Sequence, residues 1–194
     1  MIEIRMHGRG GQGAVVAAKI LAAAFFKEGK FAQSFPSFGV ERRGAPVLAF
    51  TRIDDGPVRL RTAIYEPDHL IILDATLIKS TNVLSGLKTG GSVLVNSANP
   101  IELFHFPEKY IAAAIDAAEI AVQHNLGTKS IPIVNTAILG AFAKFTGLVG
   151  IDAVVEAIKE GVPIMPDENA EAAVQAYETV PDMKFISRNW VHTS

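Results

Sequence analysis

No cysteine occurs among the 194 residues. Without thiolates the chain has no ligands for an iron–sulfur cluster of the usual kind or for a cysteine zinc site, and it forms no disulfide. That absence fits a reducing compartment, and the expected location is the cytoplasm. Charge excess is missing too. Lys+Arg number 18 against 20 Asp+Glu, a net charge of -2. No broad field draws nucleic acid or an anionic membrane, so any anion site must be local. The longest stretch without a charged side chain, Ser130 to Ala143, has 14 residues and includes Pro132. A transmembrane helix needs about 20 apolar residues, and no membrane partner is expected. The opening Met1-Ile2-Glu3-Ile4-Arg5 lacks the basic-then-apolar order of a secretion signal.

Catalytic sets are equally absent. His7, His69, His105, His124 and His192 lie apart with no H-x-x-x-H spacing, so no metal site is expected. There is no G-x-S-x-G elbow, and no P-loop lysine follows the glycines. No catalytic residue is assigned.

What the sequence does contain is a core. Hydrophobic residues make up 49%, and the length suits one domain spanning residues 1–194. Ile2, Ile4 and Met6 alternate with polar residues up to a glycine-rich break. Ala14 to Lys27 is apolar almost all round, which predicts a buried helix ended by Gly29. Phe31 to Phe35 reads as a strand. Val47 to Ile53 and Val58 to Ala63 flank Asp54-Asp55-Gly56-Pro57, the pattern of a hairpin. His69 to Leu73 and Ser92 to Val95 read as central parallel strands. Alanine dominates from Tyr110 to Gln123 and favours one helix. The reading preferred here is a strand to Ile115, then Asp116 capping a helix from Ala117 to His124. Helices follow at about Thr136 to Phe145, Ile151 to Glu160 and Glu168 to Glu178. The expected fold class is α/β: a three-layer α/β/α domain with a mostly parallel mixed sheet, one hairpin and a Rossmann-like glycine loop.

Two segments are candidate sites. Gly8, Gly10 and Gly13 match G-x-G-x-x-G between a predicted strand and a predicted helix, and Arg9, Gly11 and Gln12 complete the loop. Glycines let the backbone approach a ligand, and free N–H groups at a helix start attract an anion. A purely structural role, close strand–helix packing, remains open. The dinucleotide fingerprint also wants an acid about 20 residues on. Phe31-Ala32-Gln33-Ser34-Phe35 supplies none, which disfavours NAD. Arg9 beside exposed amides makes a fork for phosphate or carboxylate, or simply pairs with a neighbouring acid. The second segment is Phe38, Glu41, Arg42, Arg43 and Gly44. Adjacent arginines beside Phe35 and Phe38 fit a protein interface better than a solvated turn. Asp74, Asn96 and Asp116 end predicted strands, where they are helix caps or site residues.

These motifs resemble a known family. His7 to Gly13 (HGRGGQG), Phe35 to Val47 (FPSFGVERRGAPV), Ala49 to Ile53 (AFTRI), Ile64 to Asp68 (IYEPD) and Asn135 to Phe142 (NTAILGAF) look like the gamma subunit of 2-oxoacid:ferredoxin oxidoreductases. The likeness runs from Met1 to about Ile158. It implies a noncatalytic, cofactor-free subunit working with alpha, beta and delta subunits. The partner subunits would hold thiamine diphosphate, Mg and iron–sulfur clusters, with coenzyme A as co-substrate and ferredoxin as acceptor. It also implies a possible coenzyme A contact at Gly8 to Gly13 and at the Arg42-Arg43-Gly44 loop. Arg43-Gly44-Ala45-Pro46-Val47 resembles the pyruvate and 2-ketoisovalerate groups. The rival expectation is a stand-alone nucleotide-binding reductase or a binding module.

Overall fold

In the computed structural model of the chain, residues 1–37 and 42–181 are described. The alternation at the N-terminus becomes β1 (Ile2–Arg9), with Ile4 and Met6 buried on one face and Arg5 and His7 on the other. β3 (Pro46–Asp54) pairs antiparallel with β1 along its whole length, from Ile2↔Ile53 to Arg9↔Pro46. β2 (Phe31–Pro36) pairs antiparallel with β3 on its other edge. On the opposite side of β1, β4 (His69–Ile72), β5 (Ser92–Asn96) and β6 (Ile111–Ile115) continue the sheet in parallel. The strand order is β2-β3-β1-β4-β5-β6.

The parallel half is a set of short apolar runs, as strands covered on both faces require. Leu70, Ile71 and Ile72 are fully buried, as are Val93, Leu94 and Val95. One face packs on α1 (Ala14–Lys27), α3 (Ala117–Gln123), α4 (Ala137–Thr146), α5 (Ile151–Gly161) and α6 (Pro166–Thr179). The other face has a thinner cover. There Leu70, Ile72, Val93 and Val95 pack on α2 (Leu77–Ser80) and on irregular chain around Val83, Leu87 and Tyr110. The three layers are therefore present but unequal. A small hairpin, β7 (Gly127–Thr128) with β8 (Ile131–Pro132), completes the strands described.

The alanine-rich segment divides as expected. β6 ends at Ile115, and the Asp116 carboxylate accepts from Glu119 N–H at 2.9 Å to cap α3. Parallel pairing with β5 and the burial of Ala113 and Ile115 override alanine's helix propensity there.

The hairpin forms elsewhere than expected. Val58 to Ala63 is not a strand, because both edges of β3 are already taken by β1 and β2. The hairpin is β2–β3. Residues 60–63 are held instead by the buried Arg52 guanidinium. Its Nη1 donates to the Leu60 carbonyl at 3.1 Å and the Thr62 carbonyl at 2.7 Å, and Nη2 to Ala63 at 3.4 Å. Nε donates to Glu3 at 2.7 Å.

Candidate functional site

β1 delivers the glycine loop to the C-terminal end of the sheet, where open α/β folds place their ligands. Gly11 (φ 95°) and Gly13 (φ 77°) adopt the left-handed region that side chains disfavour. The loop closes on itself: Gln12 N–H donates to the Arg9 carbonyl at 3.0 Å, and Arg9 N–H donates to Gln12 Oε1 at 2.7 Å.

The structure brings the two candidate segments together. Gly10 N–H donates to the Ala45 carbonyl at 2.9 Å, and Gly44 N–H donates to the Gly10 carbonyl at 3.1 Å. A parallel bridge joins Gly10 to Arg43. Any Cβ at Gly10 would run into the Arg42 carbonyl, so this close approach requires glycine. Arg42, Arg43 and Gly44 are exposed. Phe38 and Glu41 lie outside the described residues. Phe35 is no free anchor: its ring lies 5.2 Å from that of Phe50, with the Arg52 guanidinium 5.3 Å above it.

Arg9 is committed within the chain. Its Nε pairs with Asp74 at 2.8 Å, Nη1 donates to the Gly44 carbonyl at 3.0 Å, and Nη2 to Thr76 Oγ1 at 2.8 Å. Asp74 ends the β4 run and also accepts from Thr76 N–H at 2.9 Å and Thr76 Oγ1 at 2.6 Å. Burial alone would raise the Asp74 carboxyl. Hydrogen bonds from Thr76, Arg9 and Gln12 outweigh it and hold the group below the usual carboxylate range. Arg9 thus pairs with a neighbouring acid, one of the two roles open to it.

Open donors sit at the start of α1. Ala17 N–H makes the first intrahelical bond, to the Gly13 carbonyl at 2.9 Å. The amides of Ala14, Val15 and Val16 have no such partner, and the first turn carries no acid, so among the described residues the positive helix end is uncompensated. Beside it lies a crevice of about 320 Å³, lined by Gly11, Gln12, Gly13, Leu73, Asn96 and Asn135 among others. Asn135 packs so closely over Gly13 that no side chain fits there. Asn96 Nδ2 donates to the Leu73 carbonyl at 3.0 Å. The side-chain oxygens of Asn96 and Asn135 are buried with no hydrogen-bond partner among the described residues. Such acceptors are expensive to leave unmade. The crevice thus sets carboxamide acceptors and apolar walls beside the start of α1.

Sequence spacing found Asn96 as a strand end but gave Asn135 no role of its own, because nothing local links positions 13, 96 and 135. A larger groove of about 880 Å³ runs along the β6 edge and contains none of the glycine-loop or arginine-loop residues. The described histidines do not gather into a site. His69 Nδ1 lies 2.8 Å from Ser92 Oγ, its ring meets Phe142 edge-on, and burial pushes its pKa down to about 4. Burial and the neighbouring Arg5 push His7 down to about 3. Among the described residues no group of three or more His, Asp or Glu side chains is placed to hold a metal.

The dinucleotide reading loses its geometry as well as its acid. β1 and β2 run in the same direction with β3 inserted antiparallel between them. The strand after α1 is therefore separated from β1 by a whole strand and carries no carboxylate.

Comparison with known proteins agrees across almost the whole chain. A sequence model of pyruvate ferredoxin/flavodoxin oxidoreductase matches residues 3–179. The chain is 55% identical over 183 residues to the pyruvate/ketoisovalerate oxidoreductases common subunit gamma of Thermococcus kodakarensis, covering 91% of this chain and 96% of that one. Identity is also 55% over 179 residues to pyruvate synthase subunit PorC of Methanothermobacter marburgensis, covering 92% and 97%. The crystal structure of pyruvate oxidoreductase subunit PORC from Thermotoga maritima superposes with a TM-score of 0.76 at 36% identity, covering 91% of this chain and 95% of that one. With its glycine loop, its arginine loop and the sheet that joins them inside the matched span, the chain belongs to the pyruvate ferredoxin/flavodoxin oxidoreductase family.

Proposed function

We propose that this chain is the noncatalytic gamma subunit of a multi-subunit 2-oxoacid:ferredoxin oxidoreductase acting on pyruvate or 2-ketoisovalerate. The observation that carries the reading is near full-length identity of 55% to two named subunits of such enzymes. The partners are alpha, beta and delta subunits holding thiamine diphosphate, Mg and iron–sulfur clusters. The assembly decarboxylates the 2-oxoacid, passes the acyl group to coenzyme A and reduces ferredoxin. The setting is the cytoplasm, with residues 1–194 as a single domain.

Within that assembly the crevice beside Gly11 to Gly13 suits part of coenzyme A. The pantetheine arm has amide N–H groups for the unpaired Asn96 and Asn135 oxygens and a carbon chain for the apolar walls. Its phosphates suit the uncompensated start of α1. Arg42 and Arg43, exposed on the loop that is zipped to Gly10, suit a partner carboxylate or the same phosphates. Steady-state turnover of the reconstituted complex at varied coenzyme A tests this. Asn135→Leu removes one acceptor worth about 0.5–1.5 kcal/mol, so KM for coenzyme A rises roughly 2- to 10-fold with kcat little changed. An unchanged KM removes coenzyme A from the crevice.

A further inference from the structure

The far face of β1 holds a second cavity that the reading above does not use. Arg5 and His7 are neighbours on that face, 6% and 7% exposed. Arg5 Nε donates to His7 Nε2 at 3.1 Å. Its Nη2 donates to the carbonyls of Val83 at 2.9 Å and Ser85 at 2.6 Å, and Nη1 reaches Ile64 O at 3.4 Å. All of these acceptors are neutral. Among the described residues Arg5 forms no ion pair, whereas Arg52, buried on the adjacent strand, has Glu3. A buried cation matched only by neutral groups is costly and invites an anion.

The Arg5 bond also fixes the histidine. Nε2 accepts, so the proton of the neutral ring sits on Nδ1. Burial and the adjacent guanidinium keep the ring neutral, with a pKa near 3. Nδ1–H is then a donor, and it has no hydrogen-bond partner among the described residues. Both side chains line a cavity of about 370 Å³ whose other polar lining includes Ser37, Thr81, Asn82 and Ser85. No carboxylate among the described residues lines it. Positive charge and an unused ring N–H thus border one space with the polar residues Ser37, Asn82 and Ser85.

We propose that this cavity binds a small oxyanion, a carboxylate or a phosphate, seated on His7 Nδ1–H beside the Arg5 guanidinium. The site is on the opposite face of the sheet from the coenzyme A crevice and does not depend on it. The anion is either a free metabolite or a carboxylate side chain supplied by another subunit.

Thermal unfolding of the full chain at pH 7 tests the site, with acetate, pyruvate and inorganic phosphate titrated at ionic strength held constant by chloride. At about five times its Kd the bound anion raises Tm by about 2–4 °C, and the rise saturates. In the nitrogen-15 NMR spectrum the His7 Nδ1–H signal moves over the same concentrations. His7→Phe removes the donor and abolishes both responses. Should that variant not fold, the wild-type Nδ1–H titration decides alone. A response in the isolated chain that disappears in the assembled complex identifies a partner carboxylate; one that persists identifies a free anion. Either supports the site. No saturable shift in Tm or in Nδ1–H with any of the three anions overturns it.

Discussion

The two faces of the central sheet are covered by different physics. On the helical face, Ile4, Met6, Ile71 and Leu94 join one apolar core with α1 and α4, and α6 packs behind α4. On the far face of the antiparallel half, Arg5 and Arg52 reach from β1 and β3 to tie down chain that is neither helix nor strand, bonding the carbonyls of Leu60, Thr62, Ala63, Val83 and Ser85. Apolar contact is periodic and non-directional, so it recruits regular elements. A guanidinium fork is directional and satisfies bare carbonyls, so it fixes irregular chain that would otherwise leave buried polar groups unpaired.

The comparison breaks most sharply at one residue on each face. Phe142 is fully buried among the helices. Phe142→Ala costs about 3–5 kcal/mol in denaturant unfolding, and the whole domain loosens together. Arg52→Ala strands Glu3 and three carbonyls and costs about 3 kcal/mol. Its damage is local: limited proteolysis cuts between residues 59 and 64 before the helical face opens. Arg52→Lys does not restore the wild-type pattern, because an ammonium cannot span the same carbonyls. Equal protection of residues 59–64 in wild type and Arg52→Ala would erase the distinction between the faces.

A pH titration reads one histidine on each side of the account. Both His7 and His69 have folded pKa values, about 3 and about 4, below the unfolded value of about 6.5. Their neutral forms therefore stabilise the fold fully above pH ~6.5. That stability is lost as pH falls, down to about 4 for His69 and about 3 for His7. Each contributes a slope of at most about 1.4 kcal/mol per pH unit in that window. His69→Gln flattens stability between pH 6 and 4.5 by one such slope; an unaltered slope would mean that His69 takes a proton while folded.

The smallest stability effect belongs to the arginine loop. Arg42 and Arg43 are exposed, so Arg42→Ala with Arg43→Ala changes unfolding free energy by about 0.5 kcal/mol or less. The same double variant weakens assembly or raises KM for coenzyme A, as loss of a charge-assisted contact costs about 1.5–3 kcal/mol. Size-exclusion of the reconstituted complex and turnover at varied coenzyme A report it. Wild-type values in both assays would make the loop merely solvated.

What the sequence disclosed follows the same division. β1 and the helices over one face carried periodic apolar signals, β4 and β5 continuous apolar runs, and each stands close to where it was expected. Even Asp116 was legible, because a cap lies within a few residues of what it caps. The misplaced hairpin came from the other face. Asp54-Asp55-Gly56-Pro57 marks a reversal, but local chemistry does not reveal that β1 and β2 already occupy both edges of β3. The site divides likewise. Gly8 to Gly13 announced itself by spacing, whereas its contacts with Arg43, Asp74 and Asn135 join residues far apart in the chain. Glycine's need for left-handed backbone is local; the partner it admits is not.

The central claim, that this chain serves as one subunit of a larger ferredoxin oxidoreductase, is tested most directly by affinity purification of the chain from its native cell without oxygen. The account predicts recovery of a stable complex whose other chains carry thiamine diphosphate and iron–sulfur clusters, and which reduces ferredoxin with a 2-oxoacid and coenzyme A. Recovery of the chain alone, saturably binding a nicotinamide cofactor and lacking those partners, would contradict it.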